Sequence, residues 1–326
     1  MNNLLAPYAI SSQLKIPEVD IAVIVPVYKG ETFFGELVSR LEHSLSSCCD
    51  SFRIILVDDE SPDQSWKLIE SEASKNANLV GIKLSRNFGQ HAAISAGFSI
   101  ARAKWYVVMD CDLQDPPEQI PTLHKEALEH KVDIVRARRE SSGLGLGRNI
   151  GSALFNSILR WISGLDVSSE YGNFRIISEK VANAYRAYPE QLRFFPAIMS
   201  QVGFRQIDIP LPRHERSSGG SSYSPIKLAK LALENMISYS EKPLWYGVGV
   251  GAVISAVSVA YGCVVLISAL IQQSVVPGFP TLATLISVLG GVQIMLISLT
   301  GLYVGRVLNE ARQRPIFIID QMISSG

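Results

Sequence analysis

Between residues 21 and 130, short runs of β-branched residues alternate with segments of helical periodicity, and this alternation restricts the chain to few folds. Ile21-Ala-Val-Ile-Val25 is ended by Pro26, and Phe52-Arg-Ile-Ile-Leu-Val57 is ended by Asp58 and Asp59. Between them, 31–46 carries apolar residues at helical spacing. The pattern continues with a helix at 65–73, a strand at 79–84, a helix at 91–101, a strand at 105–109 and a helix at 120–130. Parallel strands need a crossover connection, usually a helix, so strict strand-helix alternation specifies a parallel sheet. The expected fold class is α/β, a mostly parallel sheet with helices on both faces. Ligands of such open sheets bind beyond the carboxyl ends of the strands.

Four polar clusters fall at those ends: Pro26-Val-Tyr28, Asp58-Asp59, Arg86-Asn87 and Asp110-Cys-Asp112. One acidic turn is commonplace, whereas four clusters at consecutive strand ends imply a shared ligand. The most informative is Trp105-Tyr-Val-Val-Met-Asp110-Cys-Asp112-Leu-Gln114-Asp115, where an apolar strand runs straight into acidic residues. Alternate residues of an extended chain share one side, so Asp110, Asp112 and Gln114 would together offer hard oxygen ligands to Mg²⁺ or Mn²⁺. Pro116 and Pro117 would stop the strand. The segment from Pro26 to Glu31 has neither the Walker nor the dinucleotide glycine spacing, which leaves phosphate binding to a metal and to cations. Cations follow in two clusters, Arg136, Arg138, Arg139 and Arg148, then Arg213 and Arg216 in a loop rich in glycine and serine. The planar fork of arginine donors matches phosphate oxygens.

Charge is low, at 18% of residues, and unevenly spread. The stretches 244–271 and 282–305 contain no Asp, Glu, Lys or Arg. Each suffices for a membrane-spanning helix, which takes about 20 residues. The expected spans are 244–271 and 281–305, joined as a hairpin. Lys227, Lys230 and Lys242 precede it and Arg306, Arg312 and Arg314 follow it, so the positive-inside rule places both termini in the cytoplasm. The expected organisation is an N-terminal extension (1–20), a cytosolic domain (21–220), a juxtamembrane amphipathic helix (221–241), the hairpin, and a cytosolic tail (306–326). No signal peptide is expected in the first twenty residues. Cys48, Cys49, Cys111 and Cys263 lack metal-ligand spacing and fit a reducing compartment. Zero formal net charge argues against general nucleic-acid binding.

Val25-Pro-Val-Tyr28, Val57-Asp-Asp59 with Ser61 and Asp63, Leu84-Ser-Arg-Asn-Phe-Gly89 and Met109-Asp-Cys-Asp-Leu-Gln-Asp-Pro-Pro117 resemble, in order and spacing, the inverting family 2 glycosyltransferases of GT-A fold. More narrowly, residues 20–315 resemble the polyprenyl-phosphate glycosyltransferases, the group of dolichol-phosphate mannose synthase and bactoprenol glucosyltransferases. The resemblance implies a nucleotide-sugar donor, a divalent cation (Mg²⁺ or Mn²⁺) and a polyprenyl phosphate acceptor taken from membrane lipid. It implies nucleotide contacts for Pro26, Tyr28, Asp58, Asp59 and Arg86, metal contacts for Asp110, Asp112 and Gln114, and acceptor-phosphate contacts for Arg139, Arg148 and Ser152. Arg213 and Arg216 match the arginines of a loop that closes over the donor. It further implies sugar transfer to undecaprenyl phosphate at the inner membrane, with glucose from UDP-glucose as first choice and GDP-mannose, a UDP-N-acetylhexosamine or a UDP-aminoarabinose derivative as alternative donors, and a homo-oligomer such as a tetramer. The competing reading is a non-catalytic membrane scaffold that binds nucleotide sugar. Three positions depart from the family. Lys29 and Gly30 replace Asn-Glu, which would shift a nucleotide contact to Glu31; Asn173 stands where many relatives carry an acid; Ser222 stands where many carry a lysine.

Overall fold

The structure, a computed structural model, describes residues 17–139, 171–190, 193–211 and 278–325, with scattered positions between 246 and 260. The chain divides into two units, one comprising 1–147, 166–222 and 314–326, the other 148–165 and 223–313.

In the first unit, β1 (Val19–Val27), β2 (Phe52–Asp58), β3 (Leu79–Leu84) and β4 (Ala103–Val108) are separated by α1 (Phe34–Ser46), α2 (Ser65–Ala73) and α3 (Gln90–Ile100). A 3₁₀ turn (Pro117–Gln119) and α4 (Ile120–Glu129) lead to β5 (Ile134–Arg139). After β6 (Tyr171–Ser178) come α5 (Glu179–Ala187), α6 (Phe195–Gln201) and β7 (Gln206–Leu211), and the chain later returns as β8 (Ile319–Ser324). The eight strands form one sheet in the order β7-β5-β6-β4-β1-β2-β3-β8. Pairings β1–β2, β1–β4, β2–β3 and β5–β7 are parallel, while β4–β6, β5–β6 and β3–β8 are antiparallel. The sheet is therefore mostly parallel, with its antiparallel pairings on either side of the parallel centre.

Successive residues of β1 feed opposite cores. Ile21, Val23 and Val25 pack in one apolar cluster with Leu37 and Leu41 of α1, Ile69 of α2 and Leu123 of α4. Ala22 and Ile24 pack in the other with Ile94 and Phe98 of α3, Val181 and Tyr185 of α5 and Phe195 of α6. This is the period-2 signature of a strand covered on both faces, and it realises the expected two-sided sheet. The helix α3 approaches β1 so closely that a Cβ on Gly97 would overlap the Cγ2 of Ile24. Glycine at that position sets the spacing between helix and sheet.

Two expectations are corrected. Residues 319–324 are the sheet's edge strand rather than a tail: β8 pairs with β3, and just before it Phe317 is buried and Ser85 N–H donates to Ile318 O at 2.9 Å. The chain between Asp110 and Asp115 is a turn, not extended strand, because β4 ends at Val108 and Leu113 has φ +57°. The left-handed residue breaks the alternation on which a shared side for three ligands depended.

In the second unit, α7 (Phe279–Ala311) runs unbroken for 33 residues, about 50 Å at the usual rise. The uncharged run 282–305 lies wholly within it. Taken over the described residues alone, no helix is long and apolar enough to cross a membrane. Described positions between 246 and 260 are helical, and Cβ atoms placed on Gly247 and Gly251 would stand 3.0 and 3.6 Å from Leu296 of α7. Two uncharged segments thus pack against each other through small residues. Most of 244–271 and all of 221–241 lie outside the described residues.

Candidate active site

Strands β4, β1, β2 and β3 are adjacent and parallel, so the loops after them share one edge of the sheet. Backbone bonds tie these loops together: Asp59 N–H donates to Val27 O at 2.9 Å, and Met109 N–H to Ile24 O at 3.3 Å. The loop after β1 is held by the loop after β2, with Lys29 N–H on Ser61 Oγ (3.2 Å), Gly30 N–H on Ser65 Oγ (3.0 Å) and Glu31 N–H on Asp63 Oδ2 (3.3 Å). Gly30 is needed there, since an added Cβ would lie 2.9 Å from Val27 Cγ1 and 3.6 Å from Cys111 Sγ. Lys29, at φ +57°, turns the chain beside it.

Asp58 is fully buried at the end of β2. One of its oxygens, Oδ2, accepts Ser61 N–H at 3.2 Å, while Oδ1 is buried with no hydrogen-bond partner. Burial pushes its carboxyl above the ordinary range, with Ser61 opposing. A buried acceptor of this kind awaits a donor. Asp59 is differently employed. Its Oδ1 accepts Phe88 N–H at 2.7 Å and its Oδ2 accepts Gly89 N–H at 2.8 Å, so it clamps the loop that carries Arg86. Burial raises its carboxyl too, and those two N–H groups work against the rise. Arg86 is exposed with its guanidinium 4.5 Å from the Phe88 ring, and Tyr28 is half exposed on the rim. Pro26 is buried within β1 opposite Val57, a wall of the site rather than an open contact. The Glu31 carboxylate accepts Gln64 N–H at 3.1 Å, which gives it to the start of α2.

Beyond β4, Asp110 Oδ1 accepts two amide donors, Gln90 Nε2 at 2.6 Å and Asn173 Nδ2 at 3.0 Å. Asp112 is embraced by Gln114: Oδ1 accepts the Gln114 N–H at 3.2 Å and Oδ2 its side-chain amide at 2.6 Å. Gln114 is itself 4% exposed, so the turn makes it an orienting partner of Asp112. Cys111, between the two aspartates, faces inward, and burial pushes its thiol up to about 11. Mg²⁺ and Mn²⁺ are held by one or two carboxylates together with substrate phosphates, and Asp110 and Asp112 supply hard oxygens of that kind. They fit such an ion, although the described residues contain no cluster of three or more His, Cys, Asp or Glu that would hold one unaided.

Under Asp110 lies a layer that sequence reasoning missed. Arg175 of β6 is 2% exposed, with Nη2 on Gly172 O (2.7 Å), Nε on Asn173 O (3.3 Å) and its plane 5.1 Å from the Phe195 ring. Burial lowers it to about 9, with Arg136 adding and Asp208 opposing. His91, one residue past Gln90, has a buried Nδ1 without a partner; burial, then Arg175, lowers it to about 4. The only signal in the sequence was adjacency to recognised motifs. Arg139 closes β5 opposite Leu211, and its backbone alone is described. Arg148, Ser152, Arg213, Arg216 and Ser222 lie outside the described residues.

An uncharacterized glycosyltransferase of Synechocystis is 30% identical over 93% of this chain and 96% of its own length. The undecaprenyl-phosphate 4-deoxy-4-formamido-L-arabinose transferase of Aeromonas hydrophila is 30% identical over 94% of each chain. Among solved structures, a mannosyltransferase of Pyrobaculum calidifontis in complex with GDP-Man and Mn²⁺ aligns over 90% of this chain and 94% of its own, with 15% identity and a TM-score of 0.46. The family model described as glycosyl transferase family 2 matches residues 22–186, which span the parallel strands, the aspartate turn and the buried Arg175 layer. With half of its length matched and its relatives aligned nearly end to end, the chain belongs to glycosyl transferase family 2.

Proposed function

We propose that this glycosyltransferase moves a sugar from a nucleotide-sugar donor to a polyprenyl phosphate at the cytoplasmic face of the inner membrane, with inversion at the anomeric carbon. The observation that carries the reading is end-to-end similarity to a relative whose name specifies undecaprenyl phosphate as acceptor. Two uncharged segments, 244–271 and 281–305, support it as membrane spans with both termini cytoplasmic. A polyprenyl tail leaves the bilayer at a cost of about 0.8 kcal/mol per CH₂, so the enzyme must come to the lipid.

The orphaned Asp58 Oδ1 would accept a donor N–H from the base, and Tyr28 and Arg86 line the rim beside it. Asp110 and Asp112 would hold Mg²⁺ or Mn²⁺, which when bound offsets the charge growing on the departing diphosphate. An oxygen of the acceptor phosphate attacks the anomeric carbon, and the bond from that carbon to the diphosphate oxygen breaks with its electrons leaving on the diphosphate. A phosphomonoester with a second pKa of about 6 is largely dianionic at neutral pH and needs no protein base. This matters because Asn173, standing where many relatives carry an acid, has no titratable proton. Arg139, Arg148 and Ser152 are assigned to the acceptor phosphate, and Arg213 and Arg216 to the loop over the donor.

For the sugar, the resemblance favours glucose from UDP-glucose. A second reading, a formamido-arabinose donor, is favoured by the names of the relatives from Aeromonas hydrophila and Proteus mirabilis. The test is incubation with undecaprenyl phosphate and a panel of labelled nucleotide sugars. Label is expected in extractable lipid from one donor, and mass spectrometry and anomeric NMR of the product identify the sugar and its configuration. No lipid product from any donor, or a retained configuration, overturns the proposal.

A further inference from the structure

The two amides on Asp110 carry an inference that rests on the reading of this site as a metal-dependent donor site. Gln90 comes from the first residue of α3 and Asn173 from β6, two elements that reach the aspartate from different directions. Both donate to the same oxygen, Oδ1, at 2.6 and 3.0 Å. Asn173 is 7% exposed, and the backbone that presents it is fixed from beneath by the buried Arg175, which binds both Gly172 O and Asn173 O. From that fixed backbone the Asn173 amide reaches Asp110, as a partner that orients a metal ligand would.

We propose that Gln90 and Asn173 are positioning residues that lock the Asp110 carboxylate for metal binding, with Asn173 recruited as a neutral donor in place of a charged group. The chemistry decides between an amide and an acid here. An ionised aspartate at 173 has no proton to donate, so it would set acceptor against acceptor at about 3 Å and add a negative charge beside a site that must receive a diphosphate. An amide supplies a hydrogen bond to a charged group, worth more than one between neutral partners. Arg175 is the anchor of this arrangement and touches no reacting atom.

The test measures Mn²⁺ binding by the loss of the free-ion EPR signal, in the presence of UDP and separately of GDP, on the full-length protein in detergent. Gln90→Ala and Asn173→Ala are each expected to raise the Mn²⁺ concentration for half-saturation about tenfold. Asn173→Asp is expected to raise it further than Asn173→Ala, although it is the nearer isostere. Nucleotide binding without metal, followed by calorimetry, should stay within about twofold in Gln90→Ala and Asn173→Ala, which separates positioning from general damage. Gln90 is exposed, so Gln90→Ala keeps the test available where substitutions at 173 impair folding. Mn²⁺ affinity unchanged in Gln90→Ala and Asn173→Ala, or tightened in Asn173→Asp, overturns the inference and leaves the donor-site reading standing. Wild-type protein that binds no Mn²⁺ with either nucleotide overturns both.

Discussion

At the scale of single residues, the aspartates divide by what already holds them. Asp59 spends both oxygens on Phe88 and Gly89 N–H groups, whereas Asp58 keeps a buried oxygen unpartnered. Asp59→Ala should therefore loosen the loop of Arg86 and lower thermal stability, a loss of charged hydrogen bonds worth about 1.5–3 kcal/mol each. Asp58→Asn should instead weaken nucleotide binding about tenfold or more by calorimetry, while relieving a charge that burial disfavours. Gln114→Ala removes the amide that orients Asp112, and metal affinity should fall about 10–100-fold, as for other partners of metal ligands. His91 gives a pH signature. It stays neutral in the folded chain down to about 4, but takes a proton in the unfolded chain near the ordinary 6.5. Below that value the unfolded chain binds more protons, so stability falls as pH drops from about 6.5 toward 4. His91→Leu should flatten this limb in denaturation curves recorded from pH 7 to pH 4; an unchanged slope counts against it. Asp110 and Asp112 were legible as metal candidates from residue type and position. The role of Gln114 was not, because one left-handed residue, Leu113, turned the segment.

At the scale of elements, the parallel half of the sheet was readable because each strand there is followed by its own helix, and each carries its periodicity locally. Expected bounds matched α2 and β3 residue for residue, and β1, β2 and α4 to within two residues. Strands β5 to β8 gave no comparable signal. Their neighbours lie far off in sequence: β8 pairs with β3 over more than two hundred intervening residues, and nothing near 319–324 announces that partner. Deleting 316–326 should expose the β3 edge and uncover the cavity filled by Phe317, seen as lower thermal stability and faster proteolysis. Gly97→Ala tests the packing of α3 on β1. The added methyl meets a β-branched side chain in the sheet, and such overpacking costs about 1–3 kcal/mol. Because α3 also begins with Gln90, the same variant should loosen metal binding along with the fold.

At the scale of the whole molecule, the proposed enzyme joins a donor site built on a sheet edge to a lipid acceptor. Arg148→Ala should then raise the KM for undecaprenyl phosphate at least about tenfold while donor affinity stays within about twofold; equal loss of both would count against the acceptor role. The protein should also remain in membranes after a high-salt wash and leave only with detergent. The sequence by itself determined the strand-helix alternation, the four polar strand ends, the two uncharged segments and the acidic run after β4, because each is written in neighbouring residues. Tertiary structure decided which of those polar groups keeps a buried oxygen unpartnered, as Asp58 does, and which holds a loop, as Asp59 does. It also brought Gln90, Asn173 and Arg175 under Asp110, and closed the sheet with β8. These are contacts between residues tens to hundreds apart in the chain, set by how strands pair and helices cover them, and no local pattern encodes such a meeting.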